Sequence, residues 1–125
     1  MNNFADEGGA LTFHSSGKLE NCTFIENSAR VYGGAVSTGF LQDYMEFGAT
    51  NCHFIGNTAP KGGAIQAKGL NIDIRDSTFK NNKAIEYGGA INIEAEDVTI
   101  KDSIFNSNIA NIDGVWYSKR KGVIT

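Results

Sequence analysis

The side chains best suited to chemistry fall in two neighbouring segments: Asp73, Arg75 and Asp76, then Asp97, Lys101 and Asp102. A pair of carboxylates at a set separation is what a glycosidase needs, one as acid and one as base or nucleophile. A cation beside a base is what a polysaccharide lyase needs, to neutralise a uronate and remove its proton. Each residue also has a plainer role. Asp76 and Asp102 share a repeat position with Asn21 and Asn51, just ahead of a strand, where Asn and Asp make corners. Asp73, Arg75 and Lys101 alternate with apolar residues and so face solvent. His14 and His53 fall at unrelated positions, and neither has a carboxylate partner nearby in its repeat unit. The expectation is therefore no catalytic site, no metal and no cofactor.

A repeat positions these residues. Phe24-x-x-Asn27, Phe54-x-x-Asn57, Phe79-x-x-Asn82 and Phe105-x-x-Asn108 each lead to an Ala two residues on, at 29, 59, 84 and 110. The first three then reach Gly33-Gly34-Ala35-Val36, Gly62-Gly63-Ala64-Ile65 and Gly88-Gly89-Ala90-Ile91. A partial copy opens the chain, with Asn3, Ala5 and Gly8-Gly9-Ala10-Leu11. The Phe residues are 30, 25 and 26 positions apart. Within a unit, Ile72, Ile74, Phe79 and Val98, Ile100, Phe105 mark period-2 alternation, the signature of strands. No window carries a helical stripe.

A coil of roughly 25 residues with two or three short strands is too short for a propeller blade of about 40 and lacks the Leu framework of leucine-rich repeats. What remains is an all-β solenoid, a parallel β-helix of about 4–5 coils stacked at about 4.8 Å, so roughly 20–25 Å long. Stacking turns each repeat position into a ladder of like residues. Phe24, Phe54, Phe79 and Phe105 are expected to stack inward. Asn27, Asn57, Asn82 and Asn108 are expected to hydrogen-bond from coil to coil at a corner and to take its left-handed bend. The Gly pairs allow a turn and close backbone approach. A phosphate loop is a poor reading of them, since no Lys-Ser or Lys-Thr follows.

The combination of F-x-x-N with G-G-A-[I/L/V] resembles the repeats of the chlamydial polymorphic outer membrane proteins and related adhesin-like surface proteins. The resemblance runs over nearly the whole chain. It implies a right-handed parallel β-helix at a cell surface, acting as adhesin, stalk or scaffold without catalysis. It also implies a host-cell or matrix protein or glycan as partner. The alternatives are a polysaccharide-processing β-helix enzyme and a subunit of an extracellular filament or tail fibre, built by end-to-end stacking.

Bulk properties agree. One domain spanning 1–125 is expected, read as a segment of a longer repeat protein. With 15 Gly and one Pro the chain is neither collagenous nor a disordered linker. A net charge of −3 argues against nucleic acid, and no segment is long and apolar enough for membrane insertion. The N-terminus has no basic region followed by an apolar one, so no signal peptide is read there. The basic run Lys119-Arg120-Lys121 reads as a solvated end.

Two places break the repeat. The 38–46 segment adds about four residues, including Phe40, Tyr44 and Met45, and reads as a candidate binding loop, with Phe40 or Leu41 tucked into the core as the plainer role. The 114–125 segment has Gly114-Val115-Trp116 in place of Gly-Gly-Ala, with Tyr117–Lys121 replacing the strand, and reads as a degenerate or capping coil. Tyr32 and Tyr87 share a position before the Gly pair, either as outward platforms for a sugar or as partly buried residues. Cys22 and Cys52 share a position later filled by Ser77 and Ser103. They read as neighbours in a column of small core residues. A disulfide is the second reading, since stacked Cα atoms lie close enough but parallel Cβ vectors give poor torsions. Asn21-Cys22-Thr23 matches a glycosylation sequon, which matters only in a eukaryotic secretory host.

Overall fold

Each repeat unit forms one turn of a solenoid with three faces and three corners. The computed structural model describes residues 1–13, 16–38, 46–111, 116–118 and 123–124. His14, the loop residues Phe40, Tyr44 and Met45, and Lys119-Arg120-Lys121 lie outside them. All described elements are strands, and every pairing is parallel.

The Phe face stacks Thr23–Ile25, His53–Ile55, Thr78–Lys80 and Ile104–Asn106. The Ala face stacks Phe4–Glu7, Ser28–Tyr32, Thr58–Lys61 and Lys83–Tyr87. The long face begins with Leu11–Phe13 and Gly17–Glu20, then Val36–Thr38 and Glu46–Thr50. It continues as the unbroken 11-residue strands Ile65–Arg75 and Ile91–Lys101. The sequence reading split each of these into short strands. No left-handed residue interrupts either of them. Trp116–Ser118 pairs with Ile91–Ile93, so strand pairing continues through the position where the sequence reading had the strand replaced.

The expected ladders form. Phe24, Phe54, Phe79 and Phe105 stack with ring centroids 5.0, 4.8 and 4.8 Å apart and nearly parallel planes. That spacing is the inter-strand distance, so the backbone register imposes the face-to-face arrangement that isolated rings disfavour. Ala29, Ala59 and Ala84 are buried on the Ala face, and Ile65, Ile72, Ile74, Ile91, Ile93 and Ile100 pack in one core with the Phe rings from the long-face side.

The Asn ladder forms with one correction. Asn57 Oδ1 accepts from the backbone N–H and the Nδ2 of Asn27, at 2.9 and 3.1 Å. Asn82 and Asn108 do the same for the turns before them, and Asn3 donates to Asn27. Asn57, Asn82 and Asn108 also reach back, their Nδ2 donating to Phe24 O, Phe54 O and Phe79 O at 3.0, 2.9 and 2.9 Å. These Asn residues do not take the left-handed bend. The residue before each of them does: Glu26, Gly56, Asn81 and Ser107, with φ of 53, 66, 56 and 57°. The amide must point inward from an extended backbone to reach both neighbouring turns, so the turn itself falls one position earlier. At the next corner the expectation holds, with Asn21, Asn51, Asp76 and Asp102 at φ of 55, 53, 49 and 51°.

The Gly pairs divide two tasks. Gly62 takes φ of 65°. Gly63 lies against the next turn, where an added Cβ would fall 2.0 Å from Gly89 O. Only hydrogen fits there.

Candidate functional site

With the ladders committed to stacking, the residues open to a partner are those pointing outward. On the long face, Leu19, Ala49, Ile74 and Ile100 point in, and the alternating position holds Lys18, Gly48, Asp73 and Thr99. Gly48 contributes no side chain between Lys18 and Asp73. A concavity of about 440 Å³ opens around it, bordered by Lys18, Glu20, Glu46, Asn71 and Asp73. Gly48 is unlike the paired glycines. Its φ is not left-handed, and an added Cβ would make ordinary contacts of 3.5 Å to Asp73 O and 3.6 Å to Lys18 Cγ. Neither backbone geometry nor packing demands glycine here. The concavity includes Glu46, the residue that closes the 38–46 insertion. Ser16 Oγ accepts from the Glu46 N–H at 3.0 Å.

The candidate acids partly converge. Arg75 Nε donates to Asp73 Oδ1 at 2.9 Å, with both side chains nearly half exposed. Asp73 above all, then Asp76 and Asp102, hold the guanidinium above its ordinary pKa. Asp73 is the carboxylate in direct contact with this cation. Asp76, Asp97, Lys101 and Asp102 are all exposed, and the two at the corner carry its left-handed bend. His53 is exposed on the Phe face. Among the described residues, no three His, Cys, Asp or Glu gather as metal ligands. Asn21 is exposed, and its Oδ1 accepts from Asn51 Nδ2 at 2.6 Å.

Tyr32 and Tyr87 are half-buried, and the turn between them supplies Lys61. Its Nζ stands 5.7 Å from the Tyr32 ring centre and 5.2 Å from that of Tyr87. Glu86 lies 3.7 Å from the same ammonium. A hydrogen bond with Tyr87 leads the contacts that raise the Lys61 pKa above its ordinary value. A cation therefore covers one face of each ring.

Sequence reasoning missed Gly48 and Lys61. A single Gly outside any Gly-Gly pair was the available signal for the first. The second was legible as the residue filling the tyrosine position in the intervening turn.

These features define a parallel β-helix repeat protein with a rigid ladder interior and a variable outward surface. Residues 21–39, 51–68 and 76–94 each match the family model of the Chlamydia polymorphic membrane protein repeat. The chain thus carries three repeats of that family, which suggests a surface repeat protein. No curated protein and no solved structure matches it.

Proposed function

We propose that the chain is a non-catalytic adhesive segment of a cell-surface protein. Its contact surface is the outward long face around Gly48 and the 38–46 insertion, and its partner is a protein or glycan of a host-cell or matrix surface. The observation that carries this reading is Gly48. A glycine that the fold does not require opens a polar concavity beside the place where the repeat is interrupted. Contact surfaces on repeat proteins gather where insertions break the repeat. The exposed ion pair of Asp73 and Arg75 serves such a surface better than an acid–base mechanism, which needs carboxylates in contrasting environments.

The test is binding of the immobilised full chain to a glycan array and a panel of matrix proteins. Gly48→Val, Phe40→Ala and Tyr44→Ala serve as comparisons, with folding checked by circular dichroism. The expected result is at least one ligand whose binding falls roughly tenfold or more in a folded variant. Binding unchanged in all three would overturn this placement of the surface. Cleavage of a polysaccharide on the array would favour the enzyme alternative.

A further inference from the structure

One repeat position carries sulfur in two successive turns and oxygen in the next two. Ser77 Oγ donates to Arg75 O at 2.9 Å and accepts from the Cys52 N–H at 3.2 Å, linking its own turn to the one before. Ser103 repeats both contacts, donating to Lys101 O at 3.0 Å and accepting from the Ser77 N–H at 3.2 Å. Cys22 and Cys52 hold the same orientation, donating to Glu20 O and Thr50 O at 3.3 and 3.4 Å. A thiol is a weaker donor and acceptor than a hydroxyl, so sulfur does the ladder's work less well than serine. Two thiols in adjacent turns do offer what two hydroxyls cannot, a covalent bond between them.

The register allows it. Thr23 pairs with His53 and Phe24 with Phe54, so Cys22 stands directly beneath Cys52. The His53 N–H donates to Cys22 O at 2.8 Å, which holds the two backbones at strand spacing. Both cysteines are free thiols. Cα atoms at about 4.8 Å lie within the range that disulfides span.

We propose that Cys22 and Cys52 are a redox site, closing to a reversible disulfide that staples two turns of the helix. The oxidant is a low-molecular-weight disulfide such as oxidised glutathione. Cys22 is partly exposed and attacks first as thiolate. Its Sγ bonds to one glutathione sulfur as the glutathione S–S bond breaks, and one glutathione thiol leaves. Cys52 then gives up its proton to solvent, and its Sγ bonds to Cys22 Sγ, expelling the second glutathione thiol. Two protein thiols are oxidised and one disulfide is reduced to two thiols. Burial encloses the Cys52 thiol and holds it above its ordinary pKa, so it does not compete with Cys22 for the first attack. Cys22 stays partly exposed to reductant, so the staple is reversible rather than permanent.

The experiment exposes the folded full chain to buffers of graded glutathione poise and follows intact mass and free thiols. Peptide mapping identifies the linkage. The expected course is a transient mixed disulfide on Cys22, then a single intramolecular link from Cys22 to Cys52, reversed by mild reductant. The oxidised chain should melt about 5 °C higher than the reduced one. Cys52→Ser should trap the mixed disulfide, and Cys22→Ser should leave Cys52 unreactive in the folded state. Two thiols persisting in the most oxidising buffer would overturn the proposal. So would a mixed disulfide that never resolves in the parent chain, or linkage only between molecules. Reaction of Cys52 in Cys22→Ser as fast as Cys22 reacts in the parent would overturn the order of attack.

Discussion

Two glycines, Gly63 and Gly48, stand on opposite sides of the same structural logic. Gly63 belongs to the corner where turn packs on turn, and a methyl group there would overlap the backbone of Gly89. Gly48 belongs to the outward long face, where a methyl group would meet its neighbours at ordinary distance. The first is glycine because the stack leaves no alternative. The second is glycine although the stack tolerates a side chain. A repeat protein separates the two kinds of position cleanly. Interior columns are fixed by the turns above and below, and outward columns are free to serve a partner.

The strongest way to break this contrast is Gly63→Ala. With backbone oxygen 2.0 Å from the new Cβ, the turns must part. A loss of at least about 4 kcal/mol is expected, read as failure to fold or a collapsed denaturant midpoint. A near-neutral result would mean that the corner yields and the contrast is false.

Next is Asn82→Ala. It removes the acceptor for two donors of Asn57 and the donor to Phe54 O and Asn108 Oδ1, in a fully buried site. With several orphaned groups at about 1–3 kcal/mol each, partly relieved by relaxation, a loss of about 3–4 kcal/mol is expected in urea unfolding. Asn71→Ala, on the exposed long face, should change stability by less than about 0.5 kcal/mol.

A smaller effect is expected in alkali. Lys61 and Cys52 both have folded pKa values above their ordinary ones, for opposite reasons: favourable contacts to the cation in one case, burial penalising the thiolate in the other. The sign is the same for both. Each contribution is fully present below the unfolded pKa, about 9.0 for the thiol and 10.5 for the lysine, and is lost as pH climbs through the folded value. The melting temperature of the reduced chain should therefore fall as pH rises above that of the free thiol. Cys52→Ser should remove the earlier part of the fall and Lys61→Met the later part. An unchanged alkaline profile in both variants would contradict these assignments.

The smallest effect has the opposite sign. Gly48→Ala should stabilise the chain by about 0.5–1 kcal/mol, because glycine in a strand gives up more conformational freedom than alanine. A thermal melt decides it. A destabilised Gly48→Ala would show that the outward glycine is structural after all, and would merge the two classes.

Much of the architecture was legible beforehand because a solenoid repeats its environment. Phe54, Asn57, Ala59 and Gly63 each meet the same residue type one turn away, so their roles follow from spacing alone. The long strands Ile65–Arg75 and Ile91–Lys101 are less legible because their inward positions change phase within the strand, from Ile65 and Ala67 to Ile72 and Ile74, and from Ile91, Ile93 and Ala95 to Val98 and Ile100. The left-handed bend was assigned one residue late. The pattern marks the recurring Asn, while the bend falls on Glu26, Gly56, Asn81 and Ser107, which share no side-chain type.

The sequence by itself determined the parallel stack and its inward columns, because like residues at a fixed period meet themselves when the coils stack. Only the tertiary structure decided what unlike residues do across turns: that Lys61 enters between two tyrosines, that Asp73, Asp76 and Asp102 share the field of Arg75, and that Gly48 leaves a hollow. Those contacts depend on the register of one coil against the next, and the insertion at 38–46 shifts the sequence spacing from turn to turn. Periodicity marks which residues recur, and register fixes which of the others become neighbours.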